Sequence, residues 1–357
     1  MMIPQMEPSL GIEERVAVYD YMCSGGWLTE YKLTRRLERM IADYVGSRHC
    51  IMMPNGTLAL YAALRALRVG LDDEVLVPDF TMVATATSVG MAGAWPHFVD
   101  IDLDTLCLDL DWARLALSPR TKGMILVSLN GRSPDMWKVR EFCRQHDLWL
   151  LEDACQALGS TWRGKHLGTF GEMGVFSFSS QKIITTGNGG CVVTDDDEFA
   201  HRLQLFKNFG REHGGNDDYG CFGINLKFTD LQAVVGIEQM KKLPDRAQRK
   251  KEIYTLYRGW LEDVPGIEFI PTNLEDTAPW FVDLLVEDRD ALMAHLKEHD
   301  IETRPMYPAL HTLPFYSGRG PNSKYVAERG LWLPSSLTLT NEDIEYVCQS
   351  IRDFLGW

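Results

Sequence analysis

The chain has 357 residues, 45% of them apolar and 24% charged. That is an ordinary globular composition, and no run reaches the ~18 apolar residues of a membrane span. The formal charge of −14 repels phosphate backbones, which argues against a nucleic-acid partner. At roughly 100–200 residues per domain, the length implies two domains or one large α/β unit with an appendage. The opening MMIPQMEPSLGIEERV has neither the basic start nor the apolar core of an export signal. Eight cysteines (Cys23, Cys50, Cys107, Cys143, Cys155, Cys191, Cys221, Cys348) are scattered without a CxxC pair. Both features are expected of a cytoplasmic protein with reduced thiols.

Along the first two thirds, short apolar runs alternate with helical patterns: HCIMM then TLALYAALRAL, EVLVPDF then TMVATATSVGMAGA, GMILVSL then DMWKVREFCRQHD, and LWLLEDA. This predicts βα units on a mostly parallel sheet. GVFSFSS and GCVVTD follow, separated only by the turn-forming GNGG, and predict two further strands with no helix between them. The sheet is therefore expected to be mixed. After DLQAVVGIEQMKKL, Pro244 and Asp245 predict a break and a fresh helix start, placing a domain boundary between residues 243 and 244. The RAQRKK run that follows is expected to be a solvated helix face. IEFI, PWFVDLLV, IETRPMY, helical RDALMAHLKEHD and a final helix NEDIEYVCQSIRDFL make residues 244–357 a smaller α+β domain.

Three local features carry chemistry. Gly56 and Thr57 open a helical stretch directly after a strand, where free N–H groups and the helix dipole suit a phosphate; an ordinary Asn/Thr cap explains the same residues. Neither GxxxxGK[ST] nor an early GxGxxG is present, and GTFGEMG precedes a strand rather than a helix. Glu152 and Asp153 close a central strand, where α/β sheets bind ligands, although one of the pair can simply cap the next turn; Gln156 follows three residues on. Lys182 ends a strand in which Val175, Ser177 and Ser179 alternate with phenylalanines. A desolvated lysine amine forms Schiff bases with carbonyls, whereas most lysines are merely solvated. Together these are the parts that pyridoxal phosphate requires: a lysine, an acid for the ring nitrogen and a phosphate cradle. His295 and His299 have metal-ligand spacing on a helix but lack the glutamate of HExxH and a third ligand, so no metal site is expected.

The sequence resembles the DegT/DnrJ/EryC1/StrS family of PLP-dependent sugar aminotransferases over nearly its whole length. The likeness is carried by SGGWLTEY, NGTLAL, PDFTMVATATSV, LEDACQALGS, GTFGEMGVFSFSSQKIITTGNGGCVVTDD, KNFGR, GINLKFTDLQAVVGIEQM, IETRPMYPALH and RGLWLPSS. The resemblance implies an aspartate-aminotransferase-like fold of type I, working as a homodimer with shared active sites. It makes Lys182 the Schiff-base lysine and Asp153 the partner of the pyridinium nitrogen. Gln156 is placed near the phenolic oxygen, with Gly56, Thr57 and Ser177 on the phosphate. Asn225 corresponds to a residue that reaches the phosphate of the neighbouring subunit's cofactor. Met82 stands where many members stack an aromatic on the ring. SLNGRSPDM replaces a histidine-containing HLYG-type run, so Asn130 and Arg132 mark either a different substrate contact or only a different loop.

One branch of the family carries histidine in place of the lysine and dehydrates its substrate, so Lys182 implies transamination. IETRPMYPALH and the N-terminal IPQMEPSLG look most like members that aminate C4 of GDP-4-keto-6-deoxy-mannose, which would set Arg304, Tyr307 and His311 near the site's mouth. The implied reactants are glutamate and a keto-sugar nucleotide, in deoxyamino-sugar biosynthesis. A 3-keto sugar or an aminocyclitol is the alternative within the family, and a non-catalytic regulator on the same fold is the alternative outside it. The motifs of an NAD-dependent dehydratase or epimerase are not found.

Overall fold

A computed structural model describes residues 2–212 and 217–357. Helices α1 (Ile12–Cys23) and α2 (Lys32–Val45) precede the first strand. Strands and helices then alternate as β1 (His49–Met53), α3 (Gly56–Ala66), β2 (Glu74–Pro78), α4 (Ala84–Met91), β3 (Trp95–Val99), α5 (Leu110–Leu115), β4 (Thr121–Val127), α6 (Met136–Gln145) and β5 (Trp149–Asp153). A small hairpin, β6 (Thr161–Trp162) and β7 (Lys165–His166), leads to β8 (Met173–Ser177) and β9 (Gly190–Thr194), followed by α7 (Asp197–Lys207) and α8 (Asp230–Leu261). The rest comprises β10 (Ile267–Phe269), β11 (Val282–Val286), α9 (Arg289–Glu298), β12 (Arg304–Pro305), α10 (Pro321–Arg329), β13 (Gly330–Leu333) and α11 (Asn341–Leu355).

The large sheet has the order β1-β9-β8-β5-β4-β2-β3, and only β9 runs against its neighbours. This is the mixed, mostly parallel sheet expected from the GNGG turn, because a short connection can only return the chain antiparallel. Strand alternation divides the core between two faces. Met52, Leu76, Leu126, Leu150 and Phe176 pack with α2, α6 and α8. Ile51, Val77, Ile125, Leu151 and Val175 pack with α3, α4 and α7 on the other side. The second sheet is the antiparallel β10-β11-β13-β12, packed with α9, α11 and the end of α8 around Tyr254, Tyr257 and Leu284. Among the described residues, no helix is long and apolar enough to cross a membrane.

Two expectations are corrected here. No helix break occurs at Pro244: α8 is continuous for 32 residues, so the 243/244 division passes through one helix. Pro244 is exposed, and on a solvent face water can take the carbonyl that the missing N–H leaves free. The amino terminus also crosses over, since Ile3 pairs with Ile301 and joins the core of the second sheet. The RAQRKK run is not a solvated face, because Arg246 and Lys250 are both buried. Spaced i,i+4, they point inward together. Arg246 donates to the carbonyls of Ile183 (3.1 Å) and Ser9 (2.7 Å). The Lys250 ammonium donates to the carbonyls of Trp280 (2.8 Å) and Ser335, and burial lowers its pKa to about 7.

Candidate active site

The carboxyl ends of β2, β4, β5 and β8 lie at one edge of the large sheet, with Val127 beside Asp153 and Asp153 beside Val175. Ligands of α/β sheets collect at this edge. A cavity of about 590 Å³ opens there, walled by Asn55, Gly56, Thr57, Met82, Asp153, Gln156, Ser177, Lys182, Arg304 and Tyr307, among others. Gly56 to Lys182 were expected from the first two thirds of the chain, and Arg304 and Tyr307 arrive from the second sheet.

Neighbours on β5, Glu152 and Asp153 face opposite ways, and this separates their roles. Glu152 is fully buried and accepts from the N–H groups of Gly168 (2.7 Å), Phe170 (2.5 Å) and Gly171 (2.8 Å), tying the loop before β8. It is the structural member of the pair. Asp153 faces the cavity, its carboxylate held by the Thr85 hydroxyl at 2.8 Å and the Cys155 N–H at 3.2 Å. A carboxylate held on two sides in a shielded pocket suits a protonated ring nitrogen.

Lys182 follows β8 in a turn closed by its own N–H on the Ser179 carbonyl, at 3.0 Å. Its side chain keeps a window on the cavity while protein crowds the ammonium. Burial lowers its pKa to about 8; Cys155 and Asp153 oppose the fall and Arg304 adds to it. An amine in this range exchanges its proton readily near neutrality.

The start of α3 combines a side-chain cap with open donors that suit an anion. The Asn55 side chain accepts from Leu58 N–H at 2.9 Å. The N–H groups of Gly56 and Thr57, and the Ser177 hydroxyl nearby, have no acceptor within the described residues. Gly190 makes the juxtaposition achievable, for it pairs with both Met53 and Ser177. A Cβ there would lie 2.5 Å from the Asn55 carbonyl carbon and 2.6 Å from the Gly56 nitrogen. Because backbone cannot swing aside, Gly190→Ala is expected to displace the start of α3 and weaken cofactor affinity at least about tenfold, the equivalent of one lost charge-assisted hydrogen bond. Fluorescence titration of the cofactor-free protein with pyridoxal phosphate measures this.

Two residues of the expected substrate set, Asn130 and Arg132, have their polar groups committed elsewhere. Asn130 sits at φ 54°, a conformation that Asn tolerates. Its amide is used up on Phe281 N–H (2.6 Å), Phe281 carbonyl (2.7 Å) and Asp283 (3.0 Å). Arg132 is buried against Asp283, with Thr272 on its Nε at 2.9 Å. Both residues bind the second sheet, not the cavity, because burial obliges each polar group to find an internal partner. His311 faces Asp79, Nδ1 to Oδ2 at 2.5 Å, and is outside the cavity wall. Asn225 is exposed and lies outside its own chain's cavity. Gln156 lines the cavity with its amide shared between Asn130 N–H (2.8 Å) and the Tyr307 hydroxyl (3.3 Å).

Sequence reasoning missed Asn55, Thr85, Cys155 and Trp280. The cap preference of Asn before a helix marks Asn55. Nothing in the local pattern of PWFVDLLV marks Trp280, which reaches the site from 98 positions beyond Lys182.

The donor set fits pyridoxal phosphate: free N–H groups and a hydroxyl for the phosphate, a buried carboxylate for the ring nitrogen, and a partly neutral amine for the aldehyde. The profile of the DegT/DnrJ/EryC1/StrS aminotransferase family matches residues 10–352. The chain is 32% identical to a GDP-perosamine synthase of Vibrio cholerae, over 99% of this chain and 100% of that protein. It is 33% identical to a GDP-perosamine synthase of Escherichia coli O157:H7, over 99% and 98%. The crystal structure of the aminotransferase TlmJ from Streptoalloteichus hindustanus superposes with a TM-score of 0.94 at 29% identity, covering 100% of this chain and 99% of that one. The chain belongs to the DegT/DnrJ/EryC1/StrS family and is a PLP-dependent sugar aminotransferase of fold type I.

Proposed function

We propose that this aminotransferase moves the amino group of glutamate to C4 of a nucleotide-linked 4-keto-6-deoxy sugar, with GDP-4-keto-6-deoxy-mannose as acceptor and GDP-perosamine as product. Convergence of Lys182, Asp153 and the open start of α3 on one cavity carries the transamination. The end-to-end likeness to two GDP-perosamine synthases supports the choice of sugar. Bound pyridoxal phosphate supplies an electron sink that stores the amino group between the two half-reactions.

The protein's own groups do the rest. Gly56, Thr57 and Ser177 would hold the phosphate, and Asp153, aligned by Thr85, would keep the ring nitrogen protonated. Met82 would cover the ring, and Gln156 would serve its phenolic oxygen. Once released from the cofactor, Lys182 would take a proton from the donor's amino-bearing carbon and return it two atoms along, beyond the nitrogen, then repeat the passage in reverse on the sugar. Arg304 and Tyr307, on the cavity wall, meet the substrate. The exposed Asn225 favours a homodimer in which each subunit completes the other's phosphate site. The unpaired state of all eight cysteines accords with a cytoplasmic enzyme.

A pH dependence follows from Lys182. Only its neutral amine accepts a proton, and with a pKa of about 8 roughly one tenth is neutral at pH 7. Single-turnover rates of the glutamate half-reaction are expected to rise about tenfold per pH unit below about 8 and to level above it.

The substrate is tested by loading the protein with pyridoxamine phosphate and offering 4-keto and 3-keto sugars on GDP, UDP and dTDP. GDP-4-keto-6-deoxy-mannose should restore the visible absorbance of the lysine-linked cofactor fastest. Response to 3-keto sugars or aminocyclitol ketones alone would overturn the assignment.

A further inference from the structure

Resting on the transaminase reading, we propose that Trp280 is a positioning residue for Lys182: its indole face is the resting place of the ammonium whenever the lysine is not joined to the cofactor. The Lys182 nitrogen lies 3.7 Å from the centre of the Trp280 ring, well inside the ~6 Å reach of a cation–π contact. Lys182 has no carboxylate within 4.0 Å among the described residues. Buried Lys207, by contrast, is paired with Glu30 at 2.7 Å.

This difference has a chemical consequence. A carboxylate in contact would hold the proton tightly, and the lysine would be a poor base. An aromatic face attracts the charged form weakly and accepts no conventional hydrogen bond, so the ammonium is located yet free to give up its proton. The other groups acting on Lys182 are Asp153 and Cys155 beside β5, which favour the charged form, and Arg304 on β12, which disfavours it.

Trp280 is itself well fixed. Its Nε1–H donates to the carbonyl of Gln181, the residue before the lysine, at 2.7 Å. Its ring stacks on Phe281 with centroids 3.9 Å apart, and Asn130 grips both backbone polar groups of Phe281. The SLNGRS segment thereby acquires a role: it holds the stretch entering β11, which carries the indole.

The test uses the full-length, pyridoxamine-loaded protein, in which the lysine is free. Trace acetylation across a pH series, followed by peptide mass spectrometry, reads the titration midpoint of Lys182 directly. Replacing Trp280 by Leu should move the midpoint down by about one pH unit, and Trp280→Phe, which keeps a π face without the N–H, should leave it near the wild-type value. Trp280→Met supplies the same comparison should the leucine variant not fold. An unchanged or raised midpoint in the aliphatic variants, or a phenylalanine variant displaced as far as they are, would overturn the proposal. No sugar nucleotide enters this measurement, so its failure is separate from failure of the substrate assignment. Failure of the transaminase reading itself would show as a resting protein with no cofactor on Lys182.

Discussion

Lys182→Ala is expected to abolish transamination. Two losses combine: the covalent anchor of the resting cofactor, and the base that moves the proton, which alone contributes ~10²–10⁴-fold. The visible absorbance of the lysine-linked cofactor should vanish, while pyridoxamine phosphate still binds through Asp153 and the start of α3. Borohydride treatment of the wild type should add the cofactor's mass to the peptide containing Lys182 and to no other. A variant that kept both the absorbance and turnover would move the chemistry to another residue.

The largest effect on stability is expected at Asp283, far from any reacting atom. This buried carboxylate receives both terminal nitrogens of Arg132 and the Asn130 amide. In Asp283→Ala the guanidinium remains in place, 3% exposed, with Thr272 as its only other side-chain partner among the described residues. Stranding a buried charge costs about 3–5 kcal/mol. Urea or thermal unfolding should show the loss, together with weaker attachment of the second sheet to the loop after β4. The double variant Arg132→Met with Asp283→Leu should recover most of it, because replacing both partners leaves no charge unpaired. A loss under about 1 kcal/mol in the single variant would show that water reaches Arg132 and that the lock is weaker than its geometry.

The parts of the site that were legible share a property: each is announced by its immediate neighbours. Asp153 ends an apolar run, the Gly56 and Thr57 amides begin a helix, and Lys182 follows a strand whose alternation exposes Ser177. Family likeness then joined them. The residues whose role stayed open were those whose partners are distant in sequence. Asn130 and Arg132 are polar residues in a loop, and by composition alone they suit a substrate contact. Their partners, Phe281 and Asp283, lie about 150 positions away. Pro244 misled for a different reason, since a proline on a helix's wet side breaks one hydrogen bond without breaking the helix.

The sequence by itself determined the alternation of strands and helices, the antiparallel insertion of β9 and the candidacy of Lys182 and Asp153 for one site. These follow from side-chain period, turn chemistry and residues adjacent in the chain. Only the tertiary structure decided that Glu152 ties a loop while Asp153 faces the cavity, that Arg246 and Lys250 turn inward, and that Trp280 lies over the Lys182 ammonium. Each depends on which atoms meet after folding. Burial makes every polar group and charge find a partner wherever the chain has brought one, and that choice leaves no trace in local pattern.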